Sequence, residues 1–289
     1  MAGLVTSAQA AAPPPGEMLV SRLPLSAVRP PGPALHAPGL AGCEQRLLRT
    51  GDRSVPNVLI VGASFTAGVG PGRAAGSWAV LLARRLHWNA VVYGASGVGY
   101  VHPGIGRKGP VSAELARAGL RDLRPALVIV QAGHDDMAVP PGVERHRVEQ
   151  TVAMIRAQAP RARIALLTVF AGRARLPAAY RTDRAIVAGG TAADPHVIVM
   201  DPLMSGWRFP RTRDGLHPSA TGSAWIAGEV AQILLEHGVR PAPDRPGPVI
   251  CDYGFSPVTG PARRPAPSSP APRPGLGPPG PRGRAAGAG

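Results

Sequence analysis

Five short aliphatic runs recur along the middle of the chain: Asn57–Gly62, Ala90–Gly94, Ala126–Ala132, Arg163–Val169 and His196–Asp201. Val, Ile and Leu occupy successive positions in them, without the polar alternation of a half-exposed strand. Such runs predict strands buried on both faces, the pattern of a parallel sheet covered by helices. Amphipathic stretches lie between them. Ala74–Leu86 carries Trp78, Leu82 and Leu86, and Val143–Gln158 carries Val148, Val152 and Ile155 at helical spacing. Ser219–His237 has Ser219 as its expected N-cap, Trp225, Val230, Ile233 and Leu234 within it, and Gly238 as its stop. Alternating strands and helices predict an α/β protein, a three-layer α/β/α sandwich around a five-stranded parallel sheet. In such sheets a site forms beyond the carboxyl ends of the strands.

The flanks read differently. The 289 residues include 37 Gly and 35 Pro, unevenly placed. Residues 1–55 are expected to be an N-terminal extension, with a short helix over Cys43–Thr50. Residues 56–240 form the expected domain. Residues 241–289 are a Pro-, Gly- and Arg-rich tail, read as disordered from Thr259 because it has too little apolar surface to offset ordering entropy. The two cysteines, Cys43 and Cys251, lie in these flanks at a spacing that fits no metal motif. A disulfide between them and two unrelated free thiols both fit. Ala8-Gln9-Ala10 resembles a signal-peptidase site, although no basic segment or full apolar core precedes it. Export, to the medium or cell wall, is the expectation; a floppy N-terminus on a cytoplasmic protein is the alternative. No run of 18 apolar residues is present, so stable membrane insertion is not expected.

The formal charge is +15, from 32 Lys and Arg against 17 Asp and Glu. A basic chain suits an anionic partner. Here, however, the arginines are scattered and aromatics are only 4 % of residues, so the charge reads as the composition of a GC-rich genome and no nucleic-acid partner is expected.

Three polar clusters fall where strands end. Gly62-Ala63-Ser64-Phe65-Thr66-Ala67-Gly68 follows the first strand. A serine held there among small residues is exposed to substrate and can aim its N–H at a developing oxyanion. The Gly-Lys-Ser/Thr of a phosphate loop does not follow. Gly133-His134-Asp135-Asp136 follows the third strand; it reads either as a solvated loop with capping carboxylates or as a site wall, and it lacks the further ligands a metal would need. Asp214-Gly215-Leu216-His217-Pro218 precedes the last helix. An Asp three residues before a His lets the carboxylate hold the imidazole in one tautomer, or lets the pair cap the helix.

Taken together and in order, these clusters resemble the SGNH (GDSL-like) hydrolases, esterases and lipases with a flavodoxin-like fold, over roughly residues 56–238. The resemblance implies Ser64 as nucleophile with His217 and Asp214 as base and acid partner. It implies an oxyanion hole from Ser64, Gly94 and Asp135, with Gly97 as the alternative to Gly94. The segment Gly97–Gly104 and His134 would line the substrate, a carbohydrate or small-molecule ester, and neither cofactor nor metal is implied. Two positions depart from the family pattern. Ala63 stands where an aspartate is usual. Asp135 stands where an asparagine donates its amide, and an ionised carboxylate only accepts hydrogen bonds. Either Asp135 is protonated, or it points elsewhere while another group donates, or the enzyme is slow. A catalytically weak binding protein on the same fold is the competing reading.

Overall fold

The computed structural model describes residues 41–49, 55–72, 76–106, 108–170, 172, 177–243 and 247–255. The Ala8-Gln9-Ala10 segment, the start of the helix expected at Ala74 and the tail from Thr259 lie outside the described residues. The elements run α1 (Ala41–Arg49), β1 (Asn57–Gly62), α2 (Trp78–Arg85), β2 (Asn89–Ala95), α3 (Val111–Arg117), α4 (Leu120–Leu123), β3 (Leu127–Gln131), α5 (Pro141–Gln158), β4 (Arg163–Leu167), α6 (Pro177–Ala193), β5 (Ile198–Met200), α7 (Ala220–Glu236) and β6 (Ile250–Phe255).

All strand pairs are parallel, in the order β5-β4-β3-β1-β2-β6. Alternate strand residues face opposite layers. Val58 and Ile60 of β1 pack with Trp78 and Leu82 of α2 and Ile226, Val230 and Leu234 of α7. Leu59 and Val61 pack on the other face with Leu115 of α3, Val148, Val152 and Ile155 of α5 and Ile186 of α6. Each of these aliphatic side chains is buried, which is worth about 1.5–3 kcal/mol apiece relative to exposure. The helices begin where their sequences allow. Ser77 Oγ accepts from Val80 N at the start of α2, Ser219 Oγ accepts from Gly222 N at the start of α7, and Pro141 opens α5. Among the described residues no helix is long and apolar enough to cross a membrane.

The sheet has six strands, not five. The sixth, β6, lies in the segment read as tail and pairs in register with β2, from Ala90↔Ile250 to Ala95↔Phe255. It is fastened from α1: Cys43 and Cys251 form a disulfide across 208 residues. Beside it the ring of Tyr93 of β2 lies 4.6 Å from that of Tyr253 of β6, tilted by 38°, and its hydroxyl donates to Glu44 of α1 at 3.3 Å. Closing so long a loop restricts the unfolded chain, which places the expected contribution at about 2–5 kcal/mol. Reduction, or the double change Cys43→Ala/Cys251→Ala, is therefore expected to lower the melting temperature by on the order of 10 °C. A melting curve unmoved by reductant would show that the bridge contributes nothing.

Candidate active site

The sheet order sets the place. β1 feeds α2 and β2 on one side, whereas β3 feeds α5 and β4 on the other. Loops leaving the adjacent carboxyl ends of β1 and β3 therefore part, and a crevice opens between them. Both the Ser64 cluster and the Gly133–Asp136 cluster stand at its rim.

The Ser64 loop is locked to β3. Ala63 N donates to the Gln131 carbonyl at 3.0 Å, and Thr66 Oγ1 donates to Gln131 Oε1 at 2.9 Å. Ala67 N bonds to Ala63 O at 2.9 Å, and Val69 N to Ser64 O at 3.0 Å, so the chain winds into a helical turn immediately after the strand. The first N–H groups of such a turn have no internal acceptor. Ser64 N donates to no group among the described residues. Ala63, at the position of the usual aspartate, is fully buried. Its place is held by its backbone bond to Gln131, which needs no carboxylate.

His217 comes from a tight hairpin that precedes α7. Arg211 bridges Pro218, and Thr212 N donates to the His217 carbonyl at 2.9 Å. Asp214 sits at the tip. Its Oδ1 accepts from Thr212 Oγ1 (2.8 Å), Leu216 N (2.8 Å) and His217 N (3.0 Å). Its Oδ2 accepts from His217 Nδ1 at 2.7 Å. Against a desolvation penalty that acts the other way, the bonds from the His217 ring, Leu216 N and Thr212 hold this carboxyl well below the usual range. The far ring nitrogen, His217 Nε2, lies 2.9 Å from Ser64 Oγ. Ser64, His217 and Asp214 thus form one hydrogen-bonded line, with Nδ1–H donating to the carboxylate and Nε2 left to accept from the hydroxyl.

Aromatic residues back this line. Phe65 stacks on Phe170 at 4.4 Å and stands 5.4 Å from the His217 ring. Phe209 meets both phenylalanines edge-on, and Arg211 lies over its ring at 4.2 Å while donating to the Leu216 carbonyl. Three of the chain's four phenylalanines hold up the two loops that meet at Ser64.

Gly94 and Gly97 are placed differently. Gly94 lies within the β2 ladder, opposite Gly62 and Gly254, so its N–H lies in the plane of the sheet and faces a neighbouring strand. A Cβ at Gly94 would stand 2.4 Å from Ala67 N and 2.6 Å from Ala67 Cα. The bare backbone is what lets the Ser64 loop fold down onto β2. Gly97 lies in the turn beyond the strand. Its N–H donates to no group among the described residues, and its carbonyl lies 2.6 Å from His102 Nδ1.

The Gly133–Asp136 cluster divides its labour. Asp136 is completely buried, with its carboxylate against the backbone of the 100–102 loop. Its carboxylate accepts from Tyr100 N at 2.6 Å, His102 N at 2.8 Å and Val101 N at 3.4 Å. Sequence reasoning read Asp136 as a capping carboxylate or part of a site wall; its actual partners are distant in the chain, and no local signal marks them. Glu144 of α5 is fully buried beside it. Burial first, and then the Asp136 carboxylate, push Glu144 up to about 9. Asp135 is partly buried and accepts no hydrogen bond among the described residues. Burial raises its pKa, and Asp136 adds to this, whereas His134, His102 and His217 act in the opposite direction. His134 is also partly buried, and burial depresses its pKa. Among the described residues no three His, Cys, Asp or Glu side chains converge as a metal would require.

The sequence profile of the GDSL-like lipase/acylhydrolase family matches residues 60–225. No curated protein matches the chain by sequence. Among solved structures, a family 2 carbohydrate esterase from Cellvibrio japonicus superimposes with a TM-score of 0.54 at 15 % identity, over 63 % of this chain and 62 % of that one. A family 2 carbohydrate esterase with a carbohydrate-binding domain, from Corynascus thermopiles (Myceliophthora fergusii), gives 0.54 at 18 % identity, over 63 % and 67 %. A salicylyl-acyltransferase from a tetracycline biosynthetic pathway gives 0.51 at 20 % identity, over 66 % and 57 %. At these identities the likeness is one of fold.

Proposed function

Because the chain belongs to the GDSL-like lipase/acylhydrolase family, we propose that it is a serine esterase working through an acyl-enzyme, with Ser64 as nucleophile, His217 as general base and Asp214 as its carboxylate partner. One observation carries this reading: Ser64 Oγ, His217 Nε2, His217 Nδ1 and Asp214 Oδ2 stand in sequence at 2.9 and 2.7 Å.

In the proposed cycle His217 Nε2 takes the Ser64 proton as Oγ attacks the ester carbonyl. Asp214 keeps Nδ1 protonated and stabilises the imidazolium. The oxyanion forms against the N–H groups of Ser64 and Gly97. Gly97 is preferred to Gly94, since its N–H lies beyond the strand and is not spent within the described structure, whereas Gly94 sits in the ladder. Asp135 stands at the third position of this hole. The C–O bond to the alcohol then breaks, with the proton on His217 Nε2 passing to the departing oxygen. Water, activated by the same nitrogen, releases the acid and restores Ser64.

The proposed substrate is a short acyl ester, acetyl on a carbohydrate or small molecule. The sequence offers no long apolar segment to cover a lipid chain, and the fold is shared with carbohydrate esterases. The proposed location is outside the cytoplasm, since a disulfide persists in oxidising compartments.

The test is labelling. The purified chain is expected to release acetate from p-nitrophenyl acetate and to be phosphonylated at Ser64 by an organophosphonate, with His217→Ala resisting the label. A folded sample that does neither would sink the esterase reading. The second reading, a weak or inactive carbohydrate-binding protein on the same fold, is motivated by the acidic Asp135; it requires ligand binding that survives Ser64→Ala.

A further inference from the structure

A hollow of about 390 Å³ lies between the amino-terminal parts of α5 and α6, lined by Pro141, Gly142, Arg145, Arg181, Arg184 and Ala185. None of Ser64, His217 and Asp214 borders it. Its size is that of a small-ligand pocket. The two helices pack closely just beyond it: a Cβ at Gly189 of α6 would stand 2.6 Å from the Arg145 carbonyl oxygen of α5. That approach brings Arg145 beside the Arg181–Ala185 turn, so three arginines from two helices wall one space.

The charge in this space is unbalanced. Arg145 Nε donates to Glu149 Oε1 at 2.9 Å, which matches one cation with one anion. Arg181 and Arg184 form no hydrogen bond or ion pair among the described residues. They stand three residues apart on one helix, where like charges are neighbours and repel. The acids adjacent in the chain, Asp183 beside Arg184 and Glu144 beside Arg145, are turned inward: Asp183 is 1 % exposed and Glu144 is fully buried. The hollow therefore presents two positive charges with no anion of the chain's own to meet them. A guanidinium is always charged, and its forked donors match the oxygens of a phosphate group.

We propose that this hollow is a binding site for a phosphate monoester group, with Arg181 and Arg184 matching its two charges and the terminal nitrogens of Arg145 adding further donors. A carboxylate or a phosphodiester carries a single charge and would leave one guanidinium unmatched. Gly142 stands at the opening, where an added Cβ would meet nothing within 4 Å. A phosphorylated ligand can thus be held on the α5–α6 face without competing for the crevice at Ser64.

The experiment adds inorganic phosphate to the full chain at mildly alkaline pH and constant ionic strength, and follows the arginine Nε–H signals by NMR. Those of Arg145, Arg181 and Arg184 should move together and saturate. Arg181→Gln and Arg184→Gln should each weaken binding about tenfold, the worth of one hydrogen bond to a charged group. Gly142→Glu keeps all three arginines but sets a carboxylate at the hollow. It should weaken binding by about tenfold or more without lowering the melting temperature, since an acidic side chain suits the start of a helix. Arg85→Gln/Arg121→Gln removes two exposed helical arginines elsewhere and should leave binding unchanged. Dimethyl phosphate, a singly charged diester, should bind about tenfold more weakly than phosphate. Silence of the three signals would overturn the proposal. So would a loss in Arg85→Gln/Arg121→Gln as large as in Arg181→Gln, or a diester that binds as tightly as phosphate. The measurement needs no turnover, so failure of the esterase reading would leave its result standing.

Discussion

Changing Ser64 or His217 to alanine is expected to lower kcat on p-nitrophenyl acetate by ~10⁶, and changing both is expected to cost no more than either alone. The two groups act as a unit: the hydroxyl is a poor nucleophile unless Nε2 at 2.9 Å removes its proton, and the imidazole has nothing to deprotonate once Oγ is gone. Asp214→Asn should cost less, about 10⁴. The ring would survive, but an amide at Oδ2 favours the wrong tautomer at Nδ1 and leaves the imidazolium without its counter-charge. KM should change little in all three, because none of these groups binds the ground state strongly. Each variant should melt near the wild type, since the His217 hairpin retains the Arg211 and Thr212 bonds. A Ser64→Ala protein keeping a tenth of wild-type kcat, or a double variant far worse than the singles, would break the assignment.

How far the sequence shows this site depends on where each residue's partners lie. Ser64 is visible because it follows an apolar strand directly, and Asp214 and His217 because they share one short hairpin. β1 to β5 are legible because helices cover both their faces, so their burial is written as unbroken aliphatic runs. β6 is not. It lies at the sheet edge with β2 as its one paired strand, and Ile250-Cys251-Asp252-Tyr253-Gly254-Phe255 mixes charged, aromatic and small residues. Its position owes much to a covalent bond that the sequence left open. α6 escapes for a different reason. Its residues, Pro177–Ala193, are mostly Ala, Gly, Thr and Arg, and a helix of small residues packs closely on its neighbour without a periodic row of bulky side chains. Asp136 is hidden most deeply. Read locally it is a loop carboxylate after a strand, yet its three donors lie 34 to 36 residues earlier in the chain. Only the fold brings them together. Gly94 shows the same dependence on the fold: its bare backbone is required for the approach of Ala67, a contact that lies in another segment of the chain.

Gly70 supplies the sharpest test of whether loop-to-loop contact sets the reacting distance. It is in the left-handed region, at φ 110°, and a Cβ there would stand 2.1 Å from the Pro218 carbonyl oxygen and 3.2 Å from His217 Cβ. The first of these is backbone, which cannot swing aside. Gly70→Ala must therefore push the Ser64 loop and the His217 hairpin apart. A displacement of about 1 Å between reacting groups can cost ~10² in rate, so kcat should fall by about that factor or more while KM holds. Two residues further on, Gly72 provides the control. Its φ of 79° makes alanine strained there too, at about 1–2 kcal/mol, but nothing lies within 4 Å of the added methyl. Gly72→Ala should thus lower the melting temperature slightly and leave kcat close to wild type. The pair separates backbone strain, common to both, from collision with the hairpin, confined to one. Equal losses of kcat in the two variants would mean that general loosening of the 64–72 loop, and not the seating of His217 against Gly70, governs the distance to Ser64.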